Sequence, residues 1–95
     1  MSVVQKTMAE LQDGYQFARA SLEESRRIRD GFGAIIDGLE GSLAEGHVCE
    51  HEALQYLNHY AQYCQVVHRL ERDTLPCFER SMAEIVALAA QRREL

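Results

Sequence analysis

The chain has 95 residues and a mass of 10.8 kDa, a length that supports one domain with a small core. Apolar residues make up 46% of it, which excludes wholesale disorder. The net charge of −5 argues against direct binding to nucleic acid phosphates. Valine, isoleucine and threonine together number only 12, against 11 alanines, and there is one proline, so helices are favoured over strands. We therefore predict a single all-α domain over residues 1–95.

Several absences predict a cytoplasmic protein. No apolar run approaches the ~18 residues of a membrane span, and the amino terminus lacks the residue order of a secretion signal. The three cysteines, Cys49, Cys64 and Cys77, match neither a disulfide framework nor a zinc-site spacing. We therefore expect reduced thiols, no membrane association and no bound metal or cofactor.

The first half of the chain carries a helical repeat. Apolar residues recur every three or four positions over residues 4–22, and again over residues 28–43, as they do on one face of a helix. The repeat slips near Ser25, close to Gly31, where we expect a kink or a short break. This pattern predicts a first helical arm over about residues 3–44.

A turn is predicted at residues 45–47. The apolar repeat lapses there, and Gly46 suits the left-handed conformation that commonly ends a helix. A second arm should follow over about residues 48–93.

The second arm carries two neighbouring apolar stripes. The longer one keeps helical spacing and is interpreted as the main seam: Leu54, Leu57, Ala61, Cys64, His68, Glu71, Leu75, Phe78, Met82, Ile85 and Ala89. The shorter one runs beside it: Tyr56, Tyr60, Tyr63, Val67 and Leu70. Pro76 interrupts the arm, and a kink or tight break is expected there, with Asp73 or Thr74 capping the helix that follows.

Folding the chain back at residue 46 pairs residue n with about residue 92 − n. Val4 then faces Ala89, and Tyr15 faces Phe78. Apolar residues meet apolar residues along most of both arms, which predicts an antiparallel helical hairpin. Because such a hairpin cannot cover both stripes, it should complete a helical bundle by folding back or by dimerising. We favour a homodimer.

The negative charge is concentrated in the middle of the chain. Residues 30–68 contain no lysine or arginine. The carboxylates near the predicted turn are candidate contacts for a basic partner surface, and the aromatic stripe beside them could serve the monomer's core, self-association or a foreign partner. The predicted partner-binding residues are Asp37, Glu40, Glu45, Glu50, Glu52, Tyr56, Tyr60 and Tyr63.

Two histidine arrangements offer alternatives. His47 and His51 are four residues apart and would face one way if the helix has already begun, a spacing that suits transition metals. With Cys64 and His68 as further candidate ligands, they define an alternative metal- or cofactor-binding bundle. We favour an exposed helix start without metal.

The other arrangement is Cys64, His68 and Glu71 along the main seam. It is interpreted as a buried polar layer that sets register or partner choice. The run from His68 to Arg72 resembles the phosphotransfer histidine of four-helix histidine phosphotransfer domains, which implies a phosphoryl-accepting His68. Only His68 and Leu70 match that pattern, and Glu71 stands where a lysine would assist the phosphate.

No residue set typical of a catalytic site is found, so a non-enzymatic protein is predicted. A wide apolar face and a concentrated acidic region fit a small protein that binds a larger protein partner as inhibitor, adaptor or immunity factor. The same profile fits phage or plasmid anti-defence proteins that mimic nucleic acid charge.

Overall fold

The computed structural model describes the backbone of residues 2–94 and the side chains of residues 2–92. Helices occupy nearly all of that range: α1 (Val3–Asp37), α2 (Leu39–Ala44), α3 (Glu50–Arg69), a π-helical turn (Leu70–Thr74) and α4 (Leu75–Glu94). No strand occurs between residues 2 and 94, so the all-α prediction is confirmed. Met1 and Leu95, the ends of the predicted domain, lie outside the described residues.

A capping box begins α1. The backbone N–H of Gln5 donates to the Ser2 hydroxyl at 3.1 Å, and the N–H of Ser2 donates to the Gln5 side-chain oxygen at 3.1 Å. These bonds satisfy two backbone donors that the first helical turn leaves without partners. The start of α1 is therefore fixed by its own sequence.

The apolar seam of α1 does not slip, contrary to the sequence prediction. The helix is continuous through Gly31, and Ser25 is itself buried. Buried or half-buried positions alternate by four and three residues along the whole helix and into α2: 4, 8, 11, 15, 18, 22, 25, 29, 32, 36 and 39. Two of these positions hold Ser25 and Arg29, and their polarity hides the repeat from a hydrophobicity pattern.

The helical course is interrupted at Gly38 and ends at Gly46. Gly38 separates α1 from α2 by a single residue, and its N–H donates to the Ile35 carbonyl at 3.1 Å. Gly46 has a φ of 77°, and two backbone bonds, His47 N to Ser42 O and Gly46 N to Leu43 O, complete a Schellman motif. The predicted left-handed helix end at Gly46 is confirmed.

The buried face of α3 is the tyrosine stripe, one residue away from the predicted main seam. Its buried or half-buried positions include Ala53, Tyr56, Tyr60, Tyr63 and Val67. Leu54, Leu57, Ala61 and His68, which were assigned to the seam, are exposed. Both stripes have helical spacing, so periodicity alone does not distinguish them.

The π-helical turn explains that difference of one residue. In α4 the half-buried positions include those of the predicted seam: Leu75, Phe78, Met82, Ile85 and Ala89. The turn over Leu70–Thr74 closes with a hydrogen bond from the N–H of Leu75 to the carbonyl of Leu70, five residues back. A π-helical turn holds one residue more than an α-helical turn, so the repeat before it and the repeat after it differ by one position.

Pro76 follows the wide turn directly. An α-helix loses a hydrogen bond at an internal proline, whose ring also clashes with the carbonyl four residues earlier. The wider turn before Pro76 accommodates the proline ring, and the chain stays helical from α3 through this turn into α4. The predicted tight break and the new helix capped by Asp73 or Thr74 are therefore wrong, since helix α4 continues from the turn.

Contacts along the chain define two compact units. The terminal unit comprises residues 1–21 and 69–95, and the central unit comprises residues 22–68. In the terminal unit a Cβ atom added to Gly14 would lie 2.7 Å from the Phe78 ring, and the Tyr15 hydroxyl donates to Glu79 at 3.2 Å. Farther along, one cleft is lined by both Val4 and Ala89. Within this unit α1 and α4 therefore run in opposite directions, with the pairing that the sequence predicts.

An aromatic cluster forms the centre of the central unit. The Phe32 ring of α1 stacks on His59 at 5.3 Å between centroids and on Tyr63 at 6.0 Å, and it meets Tyr56 at 6.3 Å. Leu22, Leu39, Ala53 and Val67 are the buried apolar residues of this unit. None of the helices between residues 2 and 94 combines the length and the hydrophobicity needed to cross a bilayer.

Candidate functional site

Five carboxylates at the end of the central unit are all exposed. They belong to Asp37 at the end of α1, Glu40 in α2, Glu45 before the Gly46 turn, and Glu50 and Glu52 in the first turn of α3. Glu50 and Glu52 suit that position because the amino terminus of a helix attracts negative charge. These acidic residues leave their charge in solvent, where it can act on an approaching molecule.

The histidines of this region do not form a helical pair. Helix α3 begins at Glu50, so His47 lies in the turn before it. The His47 ring is 3.1 Å from the Glu45 carboxylate, whereas His51 is 3.4 Å from the side-chain amide of Gln55. The two histidines therefore do not lie on one helix face, although their spacing of four residues suggested a metal site.

The three tyrosines are half-buried within the central unit. Tyr56 and Tyr63 contact the Phe32 ring, and the Tyr60 ring lies 3.4 Å from the position that a Cβ atom on Gly33 would take. Of the three roles considered for them, these contacts support a role in the monomer's own core.

Tyr60 has an altered acidity. A hydrogen bond with the Cys64 side chain, one turn later in α3, raises the pKa of the Tyr60 phenol above its usual 10.0. The negative charge of a Cys64 thiolate and burial act in the same direction, whereas the Arg29 guanidinium lowers the pKa. Cys64 therefore contacts Tyr60. Their spacing of four residues allows this contact, but the sequence analysis did not identify it.

The proposed buried layer of Cys64, His68 and Glu71 is not present. Cys64 is half-buried, but both His68 and Glu71 are exposed. The reason is the one-residue difference in the buried stripe of α3, which turns His68 outward. The His68 imidazole is accessible. Of the residues around it, only Leu70 also matches the phosphotransfer pattern.

The stripe of α3 that sequence analysis assigned to the main seam faces outward. Leu54 is 58% exposed and Leu57 is 44% exposed, and Ala61 follows on the same face. The sequence analysis interpreted this stripe as the main seam and the tyrosine stripe as its neighbour, so the order of burial was inverted. Glu50 precedes Leu54 by one turn, so charged and apolar groups share this face.

Open clefts occur among the described residues of the terminal unit. One, of about 430 Å³, is lined by Leu11, Asp73, Thr74, Cys77, Phe78 and Ser81. Another, of about 360 Å³, lies between the first turns of α1 and the later turns of α4, where Val4 and Met8 meet Ile85, Val86 and Ala89. Both are shallow and mostly apolar, and neither includes any of the predicted partner-binding residues.

Among the residues that the structure describes, no three histidine, cysteine, aspartate or glutamate side chains are grouped so that they could hold a metal ion. Comparison with family models, with curated proteins and with solved structures finds no significant match to this chain. The arguments for its function therefore rest on the chemistry of its own surface.

Proposed function

We propose that this chain is a non-enzymatic protein that binds a larger protein partner, as an inhibitor, adaptor or immunity factor. The observation that supports this most is the exposed acidic end of the central unit, made of Asp37, Glu40, Glu45, Glu50 and Glu52. No lysine or arginine occurs from residue 31 to residue 68 to neutralise it. A surface of one charge attracts a partner of the opposite charge and increases the rate of association.

The partner's surface is basic in this proposal, and it can be a surface that normally holds nucleic acid. Carboxylates on rigid helices present negative charge at fixed positions, as phosphates do. The chain would then compete with nucleic acid for the partner without binding nucleic acid itself. This is the mode of action expected of a phage or plasmid anti-defence protein that mimics nucleic acid charge.

The assembly belongs to the same proposal. We infer an antiparallel helical hairpin that forms one domain over residues 1–95, acts in the cytoplasm and completes its bundle in a homodimer. The pairing of Gly14 with Phe78 and of Gly33 with Tyr60 follows the 92 − n rule within each unit. Val86 and Leu88, exposed on α4, are available to a second copy, and light scattering on the purified protein should give twice the monomer mass.

Affinity capture at low salt tests the function. The bait is the intact chain, compared with a variant that carries Asp37→Asn, Glu40→Gln and Glu50→Gln. The control variant carries Glu10→Gln, Asp13→Asn and Glu84→Gln, which remove the same charge from exposed positions of the terminal unit. Exposed ion pairs contribute about 0.5 kcal/mol each, so three lost pairs should weaken capture about tenfold.

The intact chain and the control variant should each capture one stoichiometric protein. The variant with Asp37→Asn, Glu40→Gln and Glu50→Gln should not retain it, and high salt should release it. Added double-stranded DNA should displace it if the occupied surface normally holds nucleic acid. Capture of no stoichiometric partner, or equal loss with both variants, would contradict the proposal.

A further inference from the structure

We propose that one face of the central unit is a docking site for a basic amphipathic helix of the partner protein. This inference rests on the proposed function and makes it more specific, because it names the element that the partner contributes. The docking face consists of Gly33 and Asp37 on α1 and of Glu50, Leu54, Leu57 and Ala61 on α3.

The α3 side of the docking face is an exposed stripe of helical spacing. Glu50, Leu54, Leu57 and Ala61 succeed one another by four, three and four residues, so their side chains lie in one row. All four are exposed, and Leu54 and Leu57 retain 58% and 44% of their accessible surface. The row spans about 16 Å at 1.5 Å per residue, which is the length of three turns of a second helix.

On the α1 side, the docking face consists of a glycine, Gly33, and a carboxylate, Asp37. Gly33 has no side chain, and a Cβ atom placed there would already lie 3.4 Å from the Tyr60 ring. Tyr60 is adjacent in α3 to Ala61 and three residues from Leu57, so Gly33 lies beside the apolar row. Asp37 follows Gly33 by one turn on the same side of α1 and is exposed.

In the proposed complex these positions act together as a shallow channel. The apolar row forms one wall, Gly33 and the edge of Tyr60 form the floor, and Asp37 and Glu50 carry negative charge at the end nearest the Gly46 turn. A glycine in the floor lets another backbone approach closely. Helices that bind such channels contact them through residues at positions i, i+3 or i+4, and i+7.

Charge decides between the possible occupants. The same face of a second copy has no lysine or arginine between residues 31 and 68 to pair with Asp37 and Glu50, so it would add only further carboxylates, and like charges at an interface disfavour association. A helix with lysine or arginine beside its apolar row pairs with these carboxylates instead. The docking face is therefore suited to a foreign basic helix, and a homodimer would use a different surface.

The test uses two synthetic peptides of leucine and lysine, each of roughly 18 residues, enough for five helical turns. They have the same composition. One peptide places its leucines on a single helix face, and the other distributes them around the helix. Binding to the intact chain is measured by isothermal titration calorimetry, and the contacted residues are located by backbone amide NMR shifts.

The amphipathic peptide should bind at least tenfold more tightly than the scrambled one, a difference of about 1.4 kcal/mol. Its shifts should centre on Gly33, Leu54 and Ala61. A variant with Leu54→Gln and Leu57→Gln should lose that preference. The control variant, Val3→Gln with Phe17→Gln, changes exposed apolar side chains of the terminal unit and should keep it.

Each contrary outcome has a distinct meaning. Equal binding of the two peptides, abolished by neutralising Asp37 and Glu50, would overturn helix docking while leaving the proposed function intact. Shifts confined to the terminal unit, or an unchanged preference in the Leu54 and Leu57 variant, would also overturn it. If neither peptide binds, the docking inference is wrong and affinity capture alone decides the proposed function. A change of oligomeric state in the Leu54 and Leu57 variant would show that a second copy covers this face.

Discussion

The two units of the chain differ in charge far more than in secondary structure. The central unit, residues 22–68, has eight acidic and three basic residues, so it carries a net −5, whereas the acidic and basic residues of the terminal unit cancel. Both units are built from helices of the same apolar spacing. The whole net charge of the protein therefore belongs to one half of it.

Packing differs between the units as well. The terminal unit brings a phenylalanine ring against a glycine, at Phe78 and Gly14, and contains the π-helical turn. The central unit packs Phe32 among a histidine and two tyrosines and leaves Leu54 and Leu57 exposed. We propose that the two units have different roles, with partner binding in the central unit. The following changes test how distinct the two units are.

The largest effect is expected from shortening the wide turn of the terminal unit. Deleting Arg72 should return the turn to α-helical geometry, in which Pro76 costs about 3 kcal/mol. The free energy of unfolding, measured with urea, should fall by that amount. Amide hydrogen exchange should show the loss mainly in the terminal unit.

Combining the Arg72 deletion with Pro76→Ala separates the two causes. The repeat would then run without the extra residue and without the ring clash, so most of the lost stability should return. If the double change is as unstable as the deletion alone, the turn does not exist to accommodate Pro76. Pro76→Ala in the chain that retains Arg72 serves as the reference and should have a small effect.

A smaller effect is expected at two helix glycines, one in each unit. Gly14→Ala should lower the free energy of unfolding by about 1 kcal/mol, because overpacking against the Phe78 ring outweighs the gain in helix propensity. Gly31→Ala should raise it by about 0.5–1 kcal/mol, because nothing lies within 4 Å of the added methyl group. Thermal or urea unfolding of both variants measures the difference, and a stabilised Gly14→Ala variant would refute the close packing at Phe78.

The smallest effect concerns Tyr60 in the central unit. Removing the hydrogen-bonding thiol by Cys64→Ala should bring the pKa of Tyr60 down towards its usual 10.0. Because the folded-state pKa is raised, the contact stabilises the fold fully below pH 10.0 and loses that effect as the pH rises through the folded-state pKa. The Cys64→Ala variant should therefore lose less stability in alkali.

NMR titration of the Tyr60 ring measures this change directly. Cys49→Ala is the matched control, since Cys49 is exposed and its thiol lies 3.6 Å from Glu52. An unchanged Tyr60 titration in the Cys64→Ala variant would show that the thiol does not set the acidity of the phenol.

Sequence periodicity predicted the helical class, the seam in the first half of α1, the seam of α4 and the helix end at Gly46. These features follow from local rules, because apolar spacing and a left-handed glycine act within a few residues. The pattern failed at Ser25 and Arg29, where polar residues occupy seam positions. A hydrophobicity pattern cannot recognise a buried serine or the apolar stem of an arginine.

The acidic site was predictable in composition but not in its neighbours. Exposure of Glu40 or Glu50 follows from charge alone. The choice between two stripes on α3 does not, because Leu54 and Tyr56 are both apolar enough to be buried. That choice depends on which residues pack across from α1 and on the extra residue in the π-helical turn, and neither is encoded in the spacing.

The wide turn after α3 has a consequence for comparing this chain with its relatives. The π-helical turn at residues 70–74 holds one residue more than an α-helical turn. This extra residue leaves the buried stripes before and after the turn on the same side of the helix. An alignment should therefore place a single-residue gap at this point, and a shorter relative should lack the proline as well. A gap placed elsewhere in the helices would rotate one stripe by about 100°. The alignment would then pair buried positions of one chain with exposed positions of the other.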